Sequence, residues 1–162
     1  MSELTRPARQ LSYEGAAIAL NAAIAKAREI GVPENIAIVD ASGNLLAFAR
    51  MDGARFLAQH SSIAKAQTAA SLQMATGQLP AQFGIDLALA TGSRSINLPG
   101  GLTIEHEGMI IGAIGVSSGS DPDDIAVAEA GRDAVLAALS RSSATHRSAP
   151  SPGTEAPSQG AQ

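Results

Sequence analysis

The sequence predicts an α+β fold in which helices pack against a single antiparallel sheet. The spacing of apolar residues alternates along the chain between a helical and a strand period. The strand-like segments come in adjacent pairs joined by short turns, which makes each pair antiparallel. The chain is 45% hydrophobic but only 2% aromatic, so the core is expected to consist of alanine and branched aliphatic side chains.

The first half of the chain predicts one helix followed by a β-hairpin. Residues 12–30 carry apolar side chains at helical spacing, and the Gly-Val-Pro sequence at 31–33 ends that run. Residues 35–40 form a short apolar strand and residues 45–50 a second strand. The Ala-Ser-Gly-Asn sequence at 41–44 supplies residues that favour a tight turn between them.

The second half predicts two helices, a second hairpin and a last helix. Helices are expected over residues 57–76 and 79–89, and strands over 102–105 and 109–117. The last strand is apolar on both faces and contains two glycines, which is typical of a central strand approached closely by a helix. Ser-Asp-Pro-Asp-Asp at 120–124 predicts a helix start, with aspartate as N-cap and proline at the first helical position.

Composition divides the chain into three parts and excludes several functions. We expect an N-terminal extension over residues 1–10, a folded domain over 11–141 and a disordered tail rich in Ser, Pro, Ala and Gly over 142–162. The net charge of −4 argues against nucleic acid as a partner. No segment is typical of a membrane span or a signal peptide, and no cysteine is present. We therefore expect a cytoplasmic protein with no membrane partner.

Two histidines are candidate metal ligands. His60 lies near the start of the second predicted helix, where a neutral imidazole could ligate iron, act as a base or simply face solvent. His106 stands between Glu105 and Glu107 at the predicted turn of the second hairpin. Glu105 and His106 are candidate acid–base residues, and an exposed polar hairpin tip is the alternative interpretation.

Several residues are candidates for ligand binding or catalysis. Lys65 is one of only two lysines and lies among small residues, so its amine could bind an anion, form a Schiff base, or pair with Asp52 or Glu105. Arg50, at the exit of a strand, could clamp a carboxylate or pair with Asp52. Two glycines, Gly100 and Gly101, would let backbone N–H groups approach a ligand. We expect Lys65 and these glycines to line one cavity.

Several motifs in order resemble the GlcG/HbpS family, also called the haem-degrading domain family, which includes the C-terminal domain of PduO. They are VDASGN at residues 39–44, RMDGA at 50–54, KAQTA at 65–69, PGGL at 99–102 and GAIGVS at 112–117. The resemblance implies a profilin-like antiparallel sheet of about five strands with flanking helices, assembled into homo-oligomers. It further implies that haem is a cofactor, since some members of the family bind it. Other members occur together with enzymes of catabolic pathways.

Three functional hypotheses follow. The first is a cytoplasmic protein that binds haem or another tetrapyrrole through His60 or His106, with Lys65 or Arg50 meeting a propionate. The second is a cofactor-independent lyase or isomerase, in which Arg50 binds a small carboxylate and Lys65 or the Glu105/His106 pair moves a proton. The third is a non-catalytic accessory protein that self-associates through its Ala- and Gly-lined faces.

Overall fold

A computed structural model describes residue 4 and residues 8–148, with side chains described up to residue 143. The remaining parts of the expected N-terminal extension and C-terminal tail lie outside the described residues. The elements, in chain order, are α1 (Tyr13–Ile30), β1 (Asn35–Asp40), β2 (Leu45–Arg50), α2 (Ala58–Leu72), α3 (Ala81–Ala90), β3 (Gly101–His106), β4 (Met109–Ser117) and α4 (Asp121–Ser148).

In the part of the chain that is described, the strands form one antiparallel sheet in the order β2-β1-β4-β3. The expected α+β class and both hairpins are confirmed, whereas the sheet has four strands rather than about five. The two hairpins supply all four strands, and the segment between them is helical as its residues predict, so the fifth strand implied by the family resemblance is not found among the described residues. Since β1 pairs on both sides and is covered on both faces, all six of its residues are buried. This explains its nearly continuous apolar sequence.

The helices cover both faces of the sheet. On one face α1 and α4 pack against each other and over a core that includes Ile36, Ile38 and Ile114. On the other face α2 packs over Ala37, Val39 and the neighbouring strand β4. The helices contribute mainly alanines to these contacts, so they lie close to the sheet.

The contact between α2 and β4 depends on Gly115. A Cβ atom at this position would lie 2.0 Å from the carbonyl oxygen of Ser62 and 2.5 Å from the backbone nitrogen of Ala66. Both distances are shorter than any real Cβ contact, so only glycine permits this crossing. The helix approach expected from the glycines of this strand is therefore confirmed.

Two helix ends differ from expectation. Ser120, rather than Asp121, caps α4: Asp123 receives hydrogen bonds from the backbone N–H and hydroxyl of Ser120, and its own N–H donates to that hydroxyl. The reciprocal bonds use the side chain of Ser120, and Asp121 is already helical. At its other end α4 continues to Ser148, so residues 142–148 are helical although we expected the tail to begin at 142.

The segment after α2 is the least buried part of the domain. The helix ends at Leu72, before the expected residue 76, because Gln73 adopts the left-handed conformation with φ 55°. In α3 only Gly84 is buried. Nowhere in the described residues is a helix both long enough and apolar enough to span a membrane.

Candidate functional site

A buried ion pair joins α2 to the start of α4. The Nζ atom of Lys65 donates to Oδ2 of Asp124 at 2.6 Å and to the carbonyl oxygen of Val116 at 2.8 Å. The two charged side chains are 2% and 4% exposed. We expected Asp52 or Glu105 as the partner of an ion-paired Lys65. That expectation is wrong, because β4 leads directly into α4 and brings its first turn over the lysine.

A second carboxyl group, Glu34, completes this buried cluster. The backbone N–H of Gly119 donates to Oε2 of Glu34 at 3.1 Å and to Oδ1 of Asp124 at 3.0 Å. Glu34 is fully buried, and its Oε1 atom makes no hydrogen bond to any described residue. A buried carboxylate oxygen without a donor is unfavourable in its charged form.

The environment of Glu34 makes it a weak acid. Burial, followed by the negative charge of Asp124, raises the pKa of Glu34 from 4.5 to about 8. The hydrogen bond from Gly119 and the charge of Lys65 oppose this effect without cancelling it. Glu34 therefore holds a proton in the folded protein at neutral pH, and a protonated carboxyl group is capable of acid catalysis.

The glycine pair lies beside Lys65, but no hollow separates them. A Cβ atom on Gly100, which has φ 108°, would lie 3.1 Å from Nζ of Lys65, and one on Gly101 would lie 2.6 Å from the lysine's carbonyl oxygen. The expected juxtaposition is present. The expected cavity between these residues is absent, because the amine packs directly against Gly100 and its hydrogen bonds go to Val116 and Asp124.

A cleft of about 460 Å³ opens over Gly119, next to the Glu34 cluster. It lies where the α1–β1, β2–α2 and β4–α4 loops meet. Arg55 is the charged residue in its wall, and Ser118 adopts φ 140°, a conformation that non-glycine residues rarely take. The lining residues are Gly31, Val32, Pro33, Gly53, Arg55, Ser118, Gly119 and Ser120.

His60 lies on the exposed surface at the start of α2. Backbone bonds from the His60 N–H to the Leu57 carbonyl and from the Gln59 N–H to the Phe56 carbonyl, each 3.2 Å, form a tight helical turn before the helix. Residues three apart in such a turn lie on one side, which places Leu57 beside His60. Phe56 and Leu57 are 70% and 65% exposed. The imidazole therefore lies beside the exposed side chain of Leu57, and the exposed ring of Phe56 belongs to the same turn.

Glu105 and His106 lie at the other end of the sheet. His106 pairs with Met109 at the β3–β4 turn, and its Nε2 atom is 3.8 Å from Oε1 of Glu107. Glu105 is exposed. The start of α2 crosses β4 near Gly115, about 20 Å along the strand from Met109 at roughly 3.3 Å per residue. His60 and His106 of one molecule therefore cannot ligate the same iron.

Arg50 and Asp52 line a third region, a cleft that includes Ile24 and Arg28 of α1. The Nη2 atom of Arg50 donates to the carbonyl oxygen of Ala54 at 3.3 Å. Lys65 lies on the helix that covers the opposite face of the sheet. The structure therefore joins Lys65 to Gly100 and Gly101, but does not gather Arg50, Lys65, Glu105 and His106 into one cleft.

Sequence reasoning missed Glu34 and Asp124 as members of the Lys65 cluster. Asp124 has the position of an ordinary first-turn acid of a helix, and its burial depends on the first turn of α4 lying over Lys65. Glu34 follows a proline in a turn, where an exposed carboxylate is the usual case. In the described residues no group of three or more His, Asp or Glu side chains is arranged to hold a metal ion.

Comparison with known proteins identifies relatives of this chain. A family model described as haem degrading protein HbpS-like matches residues 11–133. The corrinoid adenosyltransferase PduO of Citrobacter freundii is 30% identical over 135 residues, which are 79% of this chain and 40% of that protein. The chain thus spans less than half the length of this relative.

Two solved structures are similar over most of the chain. Protein ORFY of Klebsiella pneumoniae superposes with a TM-score of 0.81 and 30% identity, covering 85% of this chain and 98% of that one. A PduOC:heme complex superposes with a TM-score of 0.72 and 26% identity, covering 77% and 94%. The second of these relatives was therefore solved with haem bound.

Proposed function

Since the chain belongs to the HbpS-like haem-degrading family, we propose that it binds haem or a related tetrapyrrole, with His60 as the axial ligand of the iron. The observation that carries this proposal is an exposed imidazole in the same turn as exposed Phe56 and Leu57. Similarity to a relative solved with haem supports it.

The residues around His60 fit the chemistry of haem. An imidazole nitrogen is a common protein ligand of haem iron, and a porphyrin face requires apolar contact area. Phe56 and Leu57 supply such area in the turn that carries the imidazole. Haem, when bound, supplies an iron centre capable of redox and oxygen chemistry.

The haem propionates need a cation, and Arg55 is better placed than Lys65 or Arg50. It directly precedes Phe56, is exposed, and forms no ion pair with another described residue. Lys65 is buried against Asp124, and Arg50 lies in the cleft beside α1. We therefore assign propionate binding to Arg55.

Titration of the purified protein with hemin tests the proposal. We expect a saturable shift of the Soret band in the wild type that is lost in His60→Ala and retained in His106→Ala, the matched histidine control. Added imidazole should restore the shift in His60→Ala, because it can replace the missing ligand. A shift unchanged in His60→Ala, or no saturable shift in the wild type, would contradict the assignment.

Self-association is the second part of the proposal, and α3 supports it. Ile85 and Leu89 lie one helical turn apart on the same side of α3 and are 56% and 74% exposed, and exposed apolar side chains that share a side are typical of an interaction surface. Asp86 is the only charged residue of this helix. Two copies of the helix can therefore pack together with little charge repulsion, and we propose a second copy of this chain as the partner.

The cellular setting belongs to the same proposal. We place the protein in the cytoplasm, as an accessory to a catabolic or biosynthetic pathway that uses or supplies the tetrapyrrole. Fractionation of cells and measurement of haem in the recovered protein test this placement. Recovery of the protein mainly from a membrane or secreted fraction would contradict it.

A further inference from the structure

A polar cleft of about 560 Å³ lies at the opposite end of α2 from His60. The β1–β2 turn, the second half of α2 and the segment after α3 form its walls. The cleft is rich in hydroxyl groups, and none of its lining residues is acidic. These residues are Ser42, Gly43, Gln67, Thr68, Ser71, Ala90, Thr91, Arg94 and Ser95.

Arg94 is the one charged side chain among these lining residues. It is exposed and forms no ion pair with a carboxylate of another described residue. Since the chain carries a net charge of −4, a cleft with a cation and no carboxylate differs from the average surface. An unpaired guanidinium in such a cleft favours a carboxylate or phosphate ligand, which it binds through two parallel hydrogen bonds.

The backbone before Arg94 holds a defined and unusual turn. Gly92 and Ser93 both have left-handed conformations, with φ 62° and 63°. The turn is closed by hydrogen bonds of the Thr91 hydroxyl with the backbone N–H of Ser95 at 3.2 Å and with the Ser95 hydroxyl at 2.9 Å. A non-glycine residue in this conformation is under strain, and such strain is found preferentially at functional sites.

The inner wall of the cleft is fixed by the domain core. Gln67 donates through Nε2 to the carbonyl oxygen of Gly43 at 3.0 Å, which leaves its Oε1 atom as an acceptor. Thr68 is 4% exposed, and its Oγ1 atom accepts from the N–H of Ile96 at 3.0 Å. Its hydroxyl proton remains available as a donor. These groups can bind the hydroxyl groups of a ligand with little loss of conformational entropy on binding.

We propose that this cleft binds a small anion that also carries several hydroxyl groups, such as a sugar acid or a sugar phosphate. Arg94 binds the carboxylate or phosphate, and Gln67 and Thr68 bind hydroxyl groups. The volume is in the range that encloses a small ligand. This site is separate from the surface around His60, so it does not depend on haem binding.

Isothermal titration with four probes tests the proposal. The probes are gluconate, glucose 6-phosphate, inorganic phosphate and sorbitol, the last being an uncharged polyol with the chain length of gluconate. We expect gluconate or glucose 6-phosphate to bind at least 10-fold more tightly than sorbitol and than inorganic phosphate. The stronger of the two identifies the anionic group that the cleft prefers.

Variants assign the binding to Arg94. Arg94→Ala should weaken binding of the preferred probe at least 10-fold, whereas Arg132→Ala, which removes an arginine of α4, should leave it unchanged. His60→Ala should also leave it unchanged, so failure here and failure of haem binding are distinguishable. Equal affinity in the wild type and Arg94→Ala would overturn the proposal. So would the absence of saturable binding of both charged sugars to the wild type.

Discussion

The amine of Lys65 lies 2.6 Å from a carboxylate oxygen of Asp124, and both side chains are almost completely buried. A buried pair of this kind has a large desolvation cost, which its mutual attraction and further hydrogen bonds must offset. Here the lysine also donates to Val116 and the aspartate accepts from Gly119. The pair therefore joins α2, the end of β4 and the start of α4 at one point.

Replacing Lys65 by methionine should destabilise the protein strongly. The variant leaves Asp124 buried without its cation, for which we expect a loss of about 3–5 kcal/mol in the free energy of unfolding. Lys26→Met is the matched control, since Lys26 is the other lysine and pairs near the surface with Glu29. Urea unfolding at pH 7 measures both. Equal stability of the two variants would show that the buried pair contributes little.

Glu34→Gln should change how stability depends on pH. Between pH 4.5 and about 8 the folded protein keeps the proton on Glu34, whereas the unfolded chain releases it. The free energy of unfolding of the wild type therefore falls as pH rises through this window. Above about pH 8, Glu34 causes no further change. The glutamine variant lacks this loss. We compare the free energy of unfolding of the variant with that of the wild type at each pH. This difference should shift in favour of the variant by at least ~1 kcal/mol between pH 5 and pH 8.

Urea unfolding between pH 5 and 9 measures this difference. Glu14→Gln serves as the control, because Glu14 is an exposed residue in the first turn of α1. Parallel pH profiles for the wild type and Glu34→Gln would mean that Glu34 ionises normally in the folded protein.

Asp40 should stabilise the β1–β2 turn mainly above acidic pH. Burial acts to raise the pKa of Asp40, but hydrogen bonds from Asn44, Ser42 and Gly43 outweigh it and lower the pKa below 3.8. The ionised Asp40 carboxylate therefore stabilises the folded protein above pH 3.8. This stabilisation is lost as pH falls through the pKa that Asp40 has in the folded protein. Asp40→Ala should lose about 1–2 kcal/mol at pH 7 and less at pH 3. Thermal unfolding at both pH values measures the stability of Asp40→Ala. The control is Asp52→Ala, since Asp52 is exposed.

Leu89→Gln should weaken self-association through α3. The substitution replaces an apolar side chain that is 74% exposed with a polar one, so it should not disturb the core. Sedimentation velocity over a range of concentrations should show a smaller species than the wild type. Tyr13→Gln, which alters an exposed aromatic side chain of α1, is the control. An unchanged sedimentation profile for Leu89→Gln would exclude this surface as the interface.

The sequence was sufficient for the fold because its signals are local. The strand bounds expected at residues 35–40, 45–50 and 109–117 agree with those observed, since turn residues or charged residues flank each apolar run. The helix end at Leu72 was not predictable, because it depends on Gln73 adopting a left-handed conformation that its residue type does not favour.

The candidate site was only partly predictable, because it depends on contacts between distant parts of the chain. The scarcity of lysine and the glycine pair indicated that Lys65 and Gly100 belong together, and the structure places them in contact. Nothing local marks Asp124 or Glu34 as buried, since their burial results from contacts with Lys65 and Gly119 that the fold brings to them. Arg94 lies in a loop with no motif, and its cleft exists only through tertiary packing.

The bare backbone at Gly115 has a wider effect than its size implies. One methyl group added there would act as a wedge between β4 and α2, because the carbonyl of Ser62 already occupies that space. The same helix carries Lys65, which bonds to Asp124 at the start of α4, and Gln67, which bonds to Gly43 in the β1–β2 turn. Tilting it would misalign the ion pair and the Arg94 cleft together, so the absence of a side chain at Gly115 keeps both sites aligned.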